Sequence, residues 1–215
     1  MASCADVTDR WLLQAQTQHV GIAEAYDIMG RVCKAQGRYE SALEQYEKGL
    51  AIEIKALGED HPNVATTYNN IALVYKRQGK HEMALDQYEK SLPILIKALG
   101  EDHLRVATAY NNMALIYNKQ GKYKMALELY TMCLAVEIKT LGEDHPSVAT
   151  TFTRIASVYH KKGKHKIALE LYERSLAMRI QALGEDHPDV ETTKQNIAQL
   201  LEQIKRGSRC WPCCW

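Results

Sequence analysis

The sequence has 215 residues with 27 basic and 26 acidic side chains, so its formal net charge is only +1. This balance argues against a general nucleic-acid binder and against a polybasic membrane anchor, because both need a large cationic excess. No apolar run approaches the ~20 residues that span a bilayer, and the N-terminus lacks the basic and apolar regions of a signal peptide. We therefore expect a soluble, cytoplasmic protein without a transmembrane segment.

The N-terminal segment, residues 1–18, precedes the first recognisable repeat, and we expect it to form a degenerate capping helix. The repeated pattern begins shortly after this segment, since Ile22-Ala23 aligns with Val64-Ala65 of the next repeat. Trp11-Leu12-Leu13 supplies apolar side chains for covering the first repeat.

A 42-residue repeat organises residues 19–206. One marker is Gly-Glu-Asp-His-Pro, which begins at positions 58, 142 and 184, with Gly-Glu-Asp-His-Leu at position 100. A second marker keeps the same step, as Gln-Gly followed by Arg or Lys at positions 36, 78 and 120, and as Lys-Gly-Lys at position 162. Two independent markers in register over four copies identify a repeat architecture.

Each repeat predicts a pair of antiparallel helices. In the second repeat, four apolar residues follow the helical spacing i, i+3, i+4, i+7, namely Tyr68, Ile71, Ala72 and Tyr75. This spacing predicts helix A over about 61–77, and the pattern resumes as helix B over about 81–99. Gly79 supplies the positive φ that ends helix A, and Asp60 is expected to cap the start of helix A.

Stacking of these helix pairs sets the predicted fold. One helix pair buries only part of its apolar face, so neighbouring pairs must stack to complete the core. We predict an all-α protein, a right-handed superhelical solenoid of antiparallel helix pairs with a concave side lined mainly by helix A. The array has four helix pairs and a C-terminal capping helix, in which the apolar Tyr68 position becomes Lys194.

The repeat carries the tetratricopeptide pattern at Tyr68, Ile71-Ala72, Tyr75, Gly79, Ala84 and Tyr88. Its 42-residue period exceeds the usual 34 residues, and the longer unit resembles the repeats of kinesin light chains. The resemblance implies a non-catalytic scaffold or adaptor that binds an extended peptide in its concave groove. Kinesin light chains join the motor heavy chain through a heptad coiled coil ahead of the repeats. Only about eighteen residues precede the repeats here, so a motor link is not expected.

The resemblance implies that the peptide contacts the helix A positions lining the groove, which we call the inner stripe. Twelve residues are predicted as peptide-binding: Thr66, Asn70, Leu73, Arg77, Thr108, Asn112, Leu115, Lys119, Arg154, Ser157, Lys161 and Asn196. Asparagine suits the role because its amide both donates to and accepts from a peptide backbone. The stripe carries several cations, Arg31 among them, and its clearest acid is Glu24. This excess of positive charge predicts a partner with acidic segments.

The Glu-Asp-His clusters and the C-terminal cysteines contain side chains that can bind metals, and cysteines can also carry out redox chemistry. Capping accounts for the repeated clusters, so we expect no metal and no cofactor. The sequence offers no activated nucleophile, phosphate loop or paired acid and base, which predicts that the protein is not an enzyme. Residues 207–215 are expected to be disordered. Two alternatives stay open: an adaptor that binds folded partners through the convex face, and a thiol or metal protein that acts through Cys210, Cys213 and Cys214.

Overall fold

The computed structural model describes the backbone of residues 4–209 and the side chains of residues 17–206. Over this part of the chain the backbone forms α-helices joined by short turns, without a strand. The helices are α1 (Cys4–Ala35), α2 (Tyr39–Leu57), α3 (Pro62–Arg77), α4 (His81–Leu99), α5 (Leu104–Lys119), α6 (Tyr123–Leu141), α7 (Pro146–Lys161), α8 (His165–Leu183) and α9 (Pro188–Arg209). The predicted all-α array of helix pairs is confirmed.

Helix α1 has 32 residues, twice the 16 residues of α3, α5 and α7. The predicted boundary at residue 18 lies inside this continuous helix. The side chains of Trp11-Leu12-Leu13, predicted to cover the first repeat, lie outside the described residues. The same holds for the cysteines of the tail beyond residue 209.

Histidine, and not aspartate, caps the helix A N-termini. His61 Nδ1 accepts the backbone N–H of Asn63 at 3.1 Å, and the equivalent histidines of α5, α7 and α9 do the same. Asp60 forms an ion pair with Lys97 of α4 instead. The predicted Asp60 cap was therefore wrong by one residue, because His61 is the residue with extended backbone (φ −77°, ψ 140°) directly before the first turn.

The helices end at glycines with positive φ, as predicted: Gly79 has φ 74° after α3, and Gly58 has φ 88° after α2. These positions favour glycine because a residue with a Cβ atom is strained at positive φ. The short turns that follow bring consecutive helices into antiparallel contact.

A column of buried tyrosines on helix B fills the core of each pair. Tyr46, Tyr88 and Tyr130 are fully buried, and burial raises the pKa of Tyr130 to about 12. Small helix A residues make room for these rings, for example Ala72 and Ala156. In α1 the corresponding residue is Gly30, where a Cβ would lie only 2.6 Å from Cε1 of Tyr46.

The chain divides into two compact units, Met1–Glu101 with α1 to α4, and Asp102–Trp215 with α5 to α9. Each unit carries part of the inner stripe. Among the described residues, no helix combines the length and apolar character required of a membrane span.

Candidate functional site

In the first unit, side chains of α1 and α3 meet on the inner stripe. Asn70 Nδ2 donates to Asp27 Oδ1 at 2.8 Å, and Asp27 also pairs with Arg31, whose Nε lies 3.1 Å from Oδ2. The sequence analysis missed Asp27. Its carboxylate balances the charge of Arg31, so α1 contributes less positive charge to the stripe than its sequence indicated.

A cavity of about 340 Å³ opens beside this stripe. It is lined by Lys34, Ala35, Gly37, Tyr39, Leu73 and Arg77. Burial lowers the pKa of Lys34, and the positive charges of Arg31 and Arg77 lower it further, while Asp27 opposes them. Two basic side chains, Lys34 and Arg77, therefore line this cavity together with the apolar side chains Ala35 and Leu73.

In the second unit, two hydrogen bonds join α5 to α7. Arg154 Nη1 donates to Asn111 Oδ1 at 2.7 Å, and Lys161 Nζ donates to Asn118 Oδ1 at 3.0 Å. Both acceptors are neutral amides. Neither hydrogen bond pairs its cation with a carboxylate, in contrast to Arg31 in the first unit. The charge of Arg154 does influence the half-buried Glu137 of α6, whose pKa is raised by burial and lowered to a smaller extent by Arg154.

The predicted hydroxyl residues are bonded within their own unit. Thr66 donates to the carbonyl of Pro62 at 2.9 Å, and Thr108 donates to the carbonyl of Leu104 at 2.9 Å. Ser157 is hydrogen-bonded to Tyr172. Burial raises the pKa of Tyr172, and the hydrogen bond with Ser157 lowers it by a smaller amount. Because Thr66 and Thr108 already donate their hydroxyl hydrogens, they keep only acceptor lone pairs for a ligand.

The other predicted residues differ in exposure. Arg77 and Lys119 are exposed at the ends of α3 and α5. Four are half-buried on the same helix faces, namely Leu73, Asn112, Leu115 and Asn196. The four predicted residues of α3 lie in the first unit, and those of α5, α7 and α9 lie in the second.

The side chains missed by the sequence analysis share one spacing from their partners. Asp27, Asn111 and Asn118 each lie 43 residues before the side chain that they bind. A 42-residue repeat places equivalent residues of adjacent A helices side by side, so a partner one residue further on is a near neighbour. The 42-residue period of the sequence is therefore the signal from which these hydrogen-bond partners could have been predicted.

The residues considered for other chemistry have structural partners. The motif histidines cap helices and Asp60 pairs with Lys97, and within the described part of the chain no three His, Cys, Asp or Glu side chains are grouped to hold a metal. Burial raises the pKa of the Cys133 thiol to about 12, so this cysteine is not an activated thiolate. The cysteines of the C-terminal tail lie outside the described residues.

A sequence profile described as tetratricopeptide repeat matches four overlapping segments, residues 21–97, 64–137, 105–181 and 147–206. The chain belongs to the tetratricopeptide repeat family. No curated protein sequence matches it at a significant level.

Solved structures extend the comparison to the whole fold. BtubC (BKLC) from P. vanneervenii superposes with a TM-score of 0.78 at 23% identity, covering 92% of this chain and 78% of that chain. A kinesin-light-chain candidate from Podosopora anserina, with nearly identical TPR-like repeats, gives a TM-score of 0.73 at 24% identity over 86% and 88% of the two chains. A point variant of that protein gives 0.72 at 25% identity over 87% and 95%. These likenesses confirm the predicted helical-repeat solenoid and its resemblance to kinesin light chains.

Tetratricopeptide repeats serve as protein-interaction scaffolds, so the predicted general role in protein binding agrees with the family. Membership of the family does not specify the binding surface or the ligand, which depend on the side chains of this particular chain.

Proposed function

We propose that this tetratricopeptide protein is a non-catalytic, cytoplasmic scaffold that binds an extended acidic peptide along the part of the inner stripe that lies in its second unit. One observation carries the proposal: Arg154 and Lys161 are oriented by the neutral amides of Asn111 and Asn118, so no carboxylate offsets their charge in these contacts. An acidic side chain of a ligand supplies the missing negative charge.

Exposure supports the same assignment. Lys161 and Lys119 are exposed, and Arg154 is half-buried, so a ligand carboxylate reaches the lysines directly and meets Arg154 in a less solvated environment. Asn196 is half-buried on α9, and its amide matches the donor and acceptor of a peptide backbone. Binding then combines charge attraction with backbone hydrogen bonds, each contributing ~0.5–1.5 kcal/mol.

The test measures fluorescence polarisation of a short labelled peptide that alternates glutamate and serine, against the same peptide with glutamine. The double variant Arg154→Gln/Lys161→Gln is expected to bind the glutamate peptide about tenfold more weakly, which is ~1.4 kcal/mol. Added salt should weaken wild-type binding, because exposed charges are screened.

A control variant, Lys124→Gln/Lys166→Gln, removes two exposed lysines from helices α6 and α8 with the same change in net charge. It should bind the glutamate peptide as the wild type does. Equal losses in both variants, or equal affinity of the wild type for the glutamate and glutamine peptides, would refute an acidic ligand on the inner stripe. Retained binding of a natural partner by the stripe variant would favour the convex face.

A further inference from the structure

The outward face of α1 is apolar and uncovered. Four large side chains on this face are 42–52% exposed, namely Ile22, Ile28, Met29 and Val32. Gly21, Ala25 and Ala35 lie exposed among them. A set of uncharged, exposed positions on one helix is unusual for a protein surface and typical of an interface. We call Ile22, Ala25, Met29 and Val32 the α1 edge.

The repeat shows what these positions do elsewhere in the chain. In α3 the equivalent residues are Val64, Thr67, Ile71 and Val74, and none is more than 3% exposed, since α2 packs against this face. In α7 they are Val148, Thr151, Ile155 and Val158, at most 7% exposed where α6 packs. The α1 edge is therefore a helix-packing face that no described helix covers.

Ala25 determines which kind of surface fits there. At the equivalent position in α3, the hydroxyl of Thr67 donates to the buried Glu53 carboxylate of α2 at 2.7 Å, and Thr151 donates likewise to Glu137 of α6 at 2.7 Å. Alanine has no hydroxyl. A charged residue packed against Ala25 would be buried without a hydrogen-bond partner, which is strongly unfavourable. The covering helix must therefore be uncharged at this point.

The other end of the chain does not provide such a surface. The exposed side of α9 carries charged and amide side chains, including Lys194, Gln195, Glu202 and Lys205. Packing α9 of one copy on the α1 edge of another would bury these groups. Among the described residues, α1 exposes four large apolar side chains, whereas no other helix exposes more than two. The uncharged helix face that best matches the α1 edge is therefore the α1 edge of another copy.

We propose that the α1 edge pairs with the α1 edge of a second copy, forming a two-fold symmetric dimer through antiparallel α1 helices. Consecutive helices such as α2 and α3 already pack antiparallel, so the pairing repeats an arrangement used inside the chain. The spacing of three, four and three residues along the edge is that of a coiled-coil seam. With the two-fold axis near residue 27, Met29 of one copy lies opposite Ala25 of the other, and Ile22 lies opposite Val32.

Space beside the edge is compatible with this pairing. A groove of about 410 Å³ adjoins it, with one wall formed by Ile28, Met29, Val32 and Cys33 of α1 and the other by the polar residues Arg38, Ser41, Glu44 and Gln45. The apolar wall continues the α1 edge, and the polar wall borders it. The edge is small compared with interfaces of about 1,600 Å², so the dimer is weak and concentration-dependent. The pairing uses a surface distinct from the acidic-peptide site and does not depend on that proposal.

Sedimentation velocity over a micromolar concentration series tests the dimer. Wild type is expected to shift from one chain to two as concentration rises. Met29→Glu should stay monomeric throughout, because the carboxylate would be buried against Ala25. The control Met125→Glu changes a methionine of similar exposure on α6, 42% against 44% for Met29, and should dimerise as wild type does.

Circular dichroism on each variant confirms that the helices are retained, which is expected because both methionines are partly exposed. A wild type that remains monomeric at every concentration overturns the proposal. Dimerisation that survives Met29→Glu, or that Met125→Glu abolishes equally, also overturns it.

Discussion

Arg154 in α7 donates a hydrogen bond to Asn111 in α5, and in α1 the position of Asn111 is occupied by Asp27. The repeat thus uses a neutral acceptor at one place and a charged acceptor at the other. Asp27 binds both Asn70 and Arg31, whereas Asn111 accepts from Arg154 without a charge of its own. The two sites also differ in their cations, since Asn70 in α3 stands where α7 has Arg154, and Arg31 in α1 stands where α5 has Leu115.

Asn111→Asp should weaken binding of an acidic peptide several-fold, because the new carboxylate pairs with Arg154 and cancels its charge. Asn111→Ala removes the hydrogen bond but leaves the charge, so it should bind more tightly than Asn111→Asp. Fluorescence polarisation with the glutamate peptide measures both affinities. An aspartate variant that binds as well as the alanine variant would contradict this account of the charge.

Gly30→Ala should destabilise the protein, although alanine is the better helix former by ~1 kcal/mol. The added methyl group would lie 2.6 Å from the fully buried ring of Tyr46, and overpacking of this kind costs ~1–3 kcal/mol. Gly21→Ala is the matched control on the same helix. No side chain or other backbone lies within 4 Å of its Cβ position, so this change should stabilise by ~0.5–1 kcal/mol. Urea unfolding measures both, and the same sign for the two changes would refute the packing argument.

Pro93→Ala should stabilise α4. This helix continues through Pro93, which lies inside it on the exposed side and has no N–H for the backbone hydrogen bond of that turn. Replacement restores the donor and removes the ring, for an expected gain of about 3 kcal/mol. Ala135 occupies the same position in α6, so Ala135→Pro should destabilise by a comparable amount. Urea unfolding midpoints of the two variants should therefore move in opposite directions, and an unchanged midpoint for Pro93→Ala would contradict the prediction.

Glu53→Gln should stabilise the protein near neutral pH. Burial raises the pKa of Glu53 above its ordinary value near 4.5, with Asp27 and Glu24 adding to the effect and the hydrogen bond from Thr67 opposing it. The folded state therefore binds the Glu53 proton more tightly than the unfolded state. Stability falls as pH rises through the window between the ordinary and the raised pKa, and the loss is complete above it.

Glutamine keeps a carbonyl acceptor for Thr67 without the charge, so the advantage of the variant should shrink as pH is lowered through that window. Urea unfolding at several pH values between about 4 and 7 measures the difference. Glu89→Gln, an exposed change on α4, should leave the pH dependence unchanged. A Glu53→Gln advantage that is constant with pH would show that the buried charge is not its cause.

The sequence by itself determined the helix pairs and most of their ends. Helices predicted over 61–77 and 81–99 are α3, Pro62–Arg77, and α4, His81–Leu99. These features depend on short-range signals: the helical spacing of apolar residues and the glycines that adopt positive φ. The same signals did not distinguish Asp60 from His61 as the cap, because both are polar and adjacent. The backbone conformation of the first turn decided between them.

Only the tertiary structure decided the electrostatics of the inner stripe and the exposure of the α1 edge. Arg31 and Arg154 are both cations on helix A in the sequence, yet one is paired with a carboxylate and the other with an amide. The residues Ile22 and Val64 occupy the same repeat position, yet one is 42% exposed and the other fully buried. Such differences come from residues of a neighbouring helix, more than ten positions away in sequence in the case of Glu53 and Thr67. The repeat pattern specifies each helix, whereas burial and charge balance depend on which helix packs beside it.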